Sequence, residues 1–141
     1  MPAFFCIFVR IETFLKMNIT SLTKQQVAKS IVPQLEEQAY DMSLKTGLIQ
    51  NYAPCSPLRT QSAHNGFIPD IITTEKNGET NIYEIQLNNN INTEKWNFFA
   101  HFTQERHGKL HIIVPEPNLS AAEKVIIEND IRNIKLMYVP N

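Results

Sequence analysis

The chain is 141 residues long, 43% hydrophobic and 19% charged, the size and balance of one domain with a core of its own, with no room for two. Thirteen Lys and Arg stand against fourteen Asp and Glu, a formal net charge of -1, so affinity for a polyanion must come from a local basic patch and not from overall charge. Cys6 and Cys55 are far apart and form neither a CxxC nor a Cys/His spacing, so neither a disulfide scaffold nor a structural zinc site is indicated; two reduced thiols in a cytoplasmic protein are expected.

The apolar run from Ala3 to Val9 is followed by Arg10 and Glu12. It is too short to cross a membrane and lacks a basic flank and a small-residue cleavage site, so neither an export signal nor a membrane partner is expected. Met17 offers a second start. Residues 1–20 read as an N-terminal extension, either an added strand or an upstream start, ahead of a single domain over 21–141.

From Ser21 or Thr23 as N-cap, Val27, Ile31, Leu35, Ala39 and Met42 recur at spacings of three and four, which predicts an amphipathic helix to about Lys45, stopped by Gly47. Pro33 inside it predicts a kink or a division into two pieces. A Pro-interrupted loop through Pro54, Pro57 and Gly66 follows, with a short strand expected around Leu48 to Tyr52. Phe67 to Thr74 and Asn81 to Leu87 are rich in Ile, Thr and Tyr and are joined through Asn77-Gly78, which predicts an antiparallel hairpin.

The cluster Asn88, Asn89, Asn90 and Asn92 predicts a loop, and a second helix is expected from about Thr93 to His107, ended by Gly108. Leu110 to Val114 predicts a buried strand, Ser120 caps a third helix to about Ile131, and Ile134 to Val139 is a last strand. Strands alternating with helices call for right-handed crossovers and parallel pairing, while the hairpin adds an antiparallel part. The expected fold is therefore α/β, a mixed central sheet flanked by helices on both faces.

Folding the hairpin about Asn77-Gly78 brings residues 70 to 73 opposite 82 to 85, so Asp70 and Glu84 can meet at one end. The period of two puts Glu84 and Gln86 on one face and Tyr83, Ile85 and Leu87 on the other. Two carboxylates with the carbonyl of Ile85 are the oxygen donors that Mg²⁺, or Mn²⁺ in its place, prefers. On the strands alone the pair reads equally as a structural feature of a solvated sheet edge.

Pro69-Asp70, then Glu84-Ile85-Gln86 after a hairpin, then a helix and a short apolar strand, resembles the PD-(D/E)xK nuclease superfamily over roughly Ser21 to Pro115. The resemblance implies a restriction-endonuclease-like fold and a Mg²⁺-dependent endonuclease hydrolysing DNA phosphodiesters, with Asp70 and Glu84 as metal ligands. Glu36, about 180° from Val27 on a helical projection and just past the apolar stripe, would match the acid that some members add from the first helix. Most members have Lys where this chain has Gln86; the resemblance implies that Gln86 orients the attacking water, since an amide can do so, while lacking the charge of an ammonium. Lys95 at the start of the second helix is the candidate for a relocated Lys, ahead of Lys76 near the turn.

His101, His107 and His111 do not share one helix face and read as surface or loop histidines, and His64 as a solvated one. Trp96, Phe98, Phe99 and Phe102 read as packing and not as a base-stacking platform. Arg59, Arg106, Lys109 and Lys95 are the candidates for phosphate contacts. Two cuts in a duplex by so small a domain require a homodimer or two visits. The alternative function is a catalytically inactive relative that binds nucleic acid or a protein partner.

Overall fold

The computed structural model describes residues 8–10, 21–39, 41–59 and 66–141. The first helix, α1 (Lys24–Gln38), opens on a capping box: the Gln26 N–H donates to the Thr23 hydroxyl, and the Gln26 side chain accepts from the Thr23 N–H. Val27, Ala28, Ile31, Val32 and Leu35 form its buried face. Pro33 neither ends nor divides the helix. It lies on the exposed side, where water can satisfy the Lys29 carbonyl that loses its intrahelical donor.

The helix stops earlier than its apolar spacing predicts. Residues Ser43–Thr46 instead form a strand, β2, antiparallel to β3 (Ile71–Thr74). Met42 and Leu44 still pack with the buried face of α1, so the apolar pattern continues across the break although the backbone changes from helix to strand. The strand expected at Leu48 to Tyr52 is a turn, closed by the Thr46 N–H donating to the Ala53 carbonyl.

The hairpin forms as expected around Asn77-Gly78, with β4 (Thr80–Ile85) paired to β3 in the register Ile71 to Tyr83 and Thr74 to Thr80. Gly78 has φ 95°, which a glycine adopts without strain. The first strand is shorter than predicted: Phe67 makes a separate bridge to Leu58, and the regular ladder begins only after Pro69-Asp70. Pro69 has no N–H to donate to a ladder.

The second helix, α2 (Thr93–Gln104), leads to β5 (Leu110–Pro115), then a single 3₁₀ turn at Glu116–Asn118, α3 (Leu119–Glu128) and β6 (Ile134–Val139). The expected Ser120 cap is replaced by that 3₁₀ turn, which carries the chain directly into α3. Residues Phe8–Arg10 form β1, parallel to β6, so the extension carries an added strand. Other readings of residues 1–20, and those of Cys6 and His64, lie outside the described residues.

Among the described residues the sheet has six strands in the order β1-β6-β5-β4-β3-β2, parallel from β1 through β4 and antiparallel from β4 to β2. Alternation along the strands divides the core in two. Tyr83, Ile85, Ile113 and Val139 face α1, whereas Ile82, Leu110, Ile112, Val114 and Leu136 face Trp96, Phe99 and Ala100 of α2 and Ala122 and Ile126 of α3. Helices therefore cover both faces of a mixed sheet. Among the described residues no helix is long and apolar enough to cross a membrane.

The turn after α2 depends on a close approach. Its left-handed residue is His107, with φ 63°, while Gly108 passes so near β4 that a Cβ there would lie 1.7 Å from the Thr80 carbonyl oxygen. Urea unfolding should show Gly108→Ala to be destabilised by about 2–4 kcal/mol, because the obstacle is backbone and cannot rotate away. Gly47→Ala, where a Cβ meets nothing within 4 Å, should stay within about 1 kcal/mol of the native chain.

Candidate functional site

At the end of the sheet where β3 begins and β4 finishes, Asp70 and Glu84 come together through backbone as well as side-chain groups. The Asp70 N–H donates to Glu84 Oε1 at 2.7 Å, and the Ile85 N–H donates to Asp70 Oδ2 at 2.9 Å. Each carboxylate is thus held by the backbone of the opposite strand. The Asp70 carbonyl accepts from the Thr46 hydroxyl at 2.7 Å, so β2 fixes the same residue from its other side.

Two lysines complete the cluster. Lys24, the first residue of α1, places Nζ 3.0 Å from both oxygens of Asp70. Lys95, in the first turn of α2, places Nζ 3.0 Å from Glu84 Oε2. Asn92 sets the start of α2 by accepting from the Lys95 N–H, and Glu84 shares a strand face with Ile82, which packs toward α2. The result is two acids and two ammoniums, with an N–H donor on each of the four carboxylate oxygens.

Burial pushes the Glu84 carboxyl up to about 7, with the neighbouring Asp70 charge acting in the same direction; Lys95 and the Asp70 N–H oppose this without cancelling it. Cys55 stands nearby, its thiol donating to the Lys45 carbonyl. Burial raises it to about 11, so its nucleophilic thiolate form is disfavoured at neutral pH.

The remaining candidates fall in other places. Gln86 follows Glu84, but its amide donates to the carbonyls of Asn88 and Asn90 and to Asn88 Oδ1, where it organises the loop into α2. Ile85 contributes the N–H described above. Glu36 is not brought to the pair: it is exposed and accepts from the Tyr52 hydroxyl at 2.6 Å. Twelve residues separate it from Lys24, about 18 Å along the axis of α1. Among the described residues, no group of three His, Cys, Asp or Glu side chains is placed to hold a metal ion.

Trp96 and Phe99 are core, with Phe98 and Phe102 packed against it, in keeping with their reading as packing. His101 and His107 are exposed, but His111 corrects its reading as a surface or loop residue. It lies in β5, stacked on Tyr83 with ring centroids 4.3 Å apart, and burial with the nearby Lys135 and Lys109 lowers its pKa to about 3. Arg106 covers the Phe102 ring at 3.6 Å, beyond the far end of α2 from Lys95, and Lys76 is exposed in the hairpin turn. Arg59 and Lys109 are exposed.

Sequence reasoning missed Lys24 and Thr46. Lys24 had a local signal: it directly follows the Thr23 cap, in a first turn without acidic residues, where the positive end of the helix dipole disfavours an ammonium. A carboxylate from elsewhere in the chain is one way to compensate that placement. No family model, curated protein or solved structure matches the chain.

The raised Glu84 carboxyl makes a signed pH prediction for the metal-free protein. Between about pH 4.5 and 7 the folded state holds a proton that the unfolded chain has released, so this group's stabilising contribution is complete below 4.5 and is lost as the pH rises toward 7. Denaturant titrations in EDTA should show native stability falling relative to Glu84→Gln by about 2–3 kcal/mol across that window. A difference that stays flat with pH would contradict the raised carboxyl.

Proposed function

We propose that this chain is a metal-dependent endonuclease of restriction-endonuclease-like fold that hydrolyses DNA phosphodiester bonds. The observation that carries the reading is the meeting of Asp70 and Glu84 at one end of a mixed sheet, with the Lys95 ammonium on Glu84. The donor set suits a hard divalent cation such as Mg²⁺ or Mn²⁺: two carboxylates, with the Ile85 carbonyl as a third oxygen. The electrostatics suit one too. Glu84 is pushed toward its neutral form by burial beside Asp70, and a dication would favour the ionised pair.

Bound there, the cation would supply Lewis-acid charge for a phosphoryl oxygen and lower the pKa of a water. Asp70 and Glu84 hold it, and their backbone hydrogen bonds keep them from rotating apart. Lys95 takes the role that the resemblance assigns to the motif Lys, stabilising negative charge that develops on the phosphate and orienting the attacking water. Gln86 supports Lys95 by ordering the loop that leads into α2. Hydrolysis adds one water across a P–O bond, leaving a phosphate on one product end and a hydroxyl on the other.

A second reading is favoured by the saturation of the cluster, in which an N–H donor already meets each carboxylate oxygen. A self-neutralised quartet suits a non-catalytic relative that uses the fold to bind nucleic acid or a protein partner.

Incubation of the purified chain with supercoiled plasmid and with branched DNA separates the two readings. The nuclease cuts in Mg²⁺ or Mn²⁺ and stops in EDTA; Glu84→Ala and Lys95→Ala each lower the rate by about 10²–10³-fold. Gln86→Ala, which loosens a loop, lowers it by less than about tenfold. Folded native chain that cuts neither substrate with either metal supports the second reading.

A further inference from the structure

Lys24 and Lys95 both sit 3.0 Å from a carboxylate of the pair, yet they are held very differently. The Lys95 side chain is 24% exposed, and its partner Glu84 is 3% exposed. Separating that pair would leave a buried charge without its counter-ion. The Lys24 side chain is 40% exposed against a 13% exposed Asp70, an ion pair near water of the kind that contributes little.

Its place in α1 weakens Lys24 further. It is the first helical residue, with no acidic residue in that turn, so the dipole of its own helix opposes the ammonium. The geometry of the acids does not rest on it. Without Lys24, Asp70 keeps the Ile85 N–H and the Thr46 hydroxyl, and Glu84 keeps the Asp70 N–H and Lys95. Charge argues the same way: with both carboxylates ionised the two ammoniums already balance them, and a dication added with both lysines in place would meet two positive neighbours at contact distance.

We infer that Lys24 is a displaceable counter-ion: it occupies Asp70 in the metal-free protein, yields that carboxylate to a divalent cation, and turns its freed ammonium toward the substrate phosphate. The inference rests on the nuclease reading and adds a second lysine to it. Lys24 is thus a competitor for the metal before substrate binds and a phosphate contact afterwards.

Mn²⁺ binding to the full chain, measured by calorimetry at low ionic strength without DNA, tests it. Lys24→Gln should bind Mn²⁺ about fivefold more tightly than the native chain, the ratio set by releasing one ion pair whose ammonium is partly exposed to water. Lys24→Arg, which keeps the competing charge, should remain near native affinity, and Glu84→Gln should lose binding. In the native chain, acylation of Lys24 followed by mass spectrometry should accelerate on adding Mn²⁺ while that of Lys95 does not, a readout independent of any variant's folding. Native chain that binds Mn²⁺ with Lys24→Gln no tighter, or with Lys24 acylation unchanged, overturns the displaceable counter-ion and leaves the metal site standing. Folded native chain and Lys24→Gln that both bind no Mn²⁺ remove the metal site and this inference together.

Discussion

Asp70 gives its N–H to Glu84 and takes an N–H from Ile85, and these two bonds tie the start of β3 to the end of β4 at the place where the chain concentrates its charge. Two carboxylates this close repel each other, and burial adds to the cost of ionising Glu84. They stay together because each is bonded to the opposite strand, so neither can swing away without leaving a partly buried N–H unsatisfied. Thr46 extends the same restraint to β2 through the Asp70 carbonyl. Three strands of the antiparallel half therefore converge on one residue.

The helices can deliver ammoniums to this point because the two cores are built on opposite faces of the sheet. Val27, Ile31 and Val32 fix α1 on one side, and Trp96 and Phe99 fix α2 on the other, fully buried among strand residues. Both helices begin at the same end of the sheet, each from a capped N-terminus, Thr23 for α1 and Asn92 for α2. Packing in the interior sets the position of the first turn, and the first turn sets the lysine. A change in either core would be felt at the carboxylates through this lever.

The hairpin was legible because its signals are local. Asn77-Gly78 favours the turn, and alternation in β4 separates Glu84 from Tyr83 and Ile85, which pack toward α1. The end of α1 was not legible. Met42 recurs at helical spacing and packs on the same cluster from just before β2, outside the helix, so the apolar period gives no sign of where the helix stops. Glu36 fails for a related reason: a helical projection reports direction around the axis and nothing about distance along it. Gln86 carried the right strand face but not its partners, because the loop carbonyls it meets depend on how the chain folds back into α2.

By itself the sequence determined the kinds of elements and their order from the hairpin onward, the position of the turn, and the meeting of Asp70 and Glu84, since periodicity and turn chemistry act over a few residues. The tertiary structure alone decided that a second cation, Lys24, closes the pair from the side opposite Lys95. Lys24 is 46 positions from Asp70, and their contact exists because the buried face of α1 seats the helix with its first turn over the start of β3. Such a contact depends on how a whole core packs, and no local spacing encodes it.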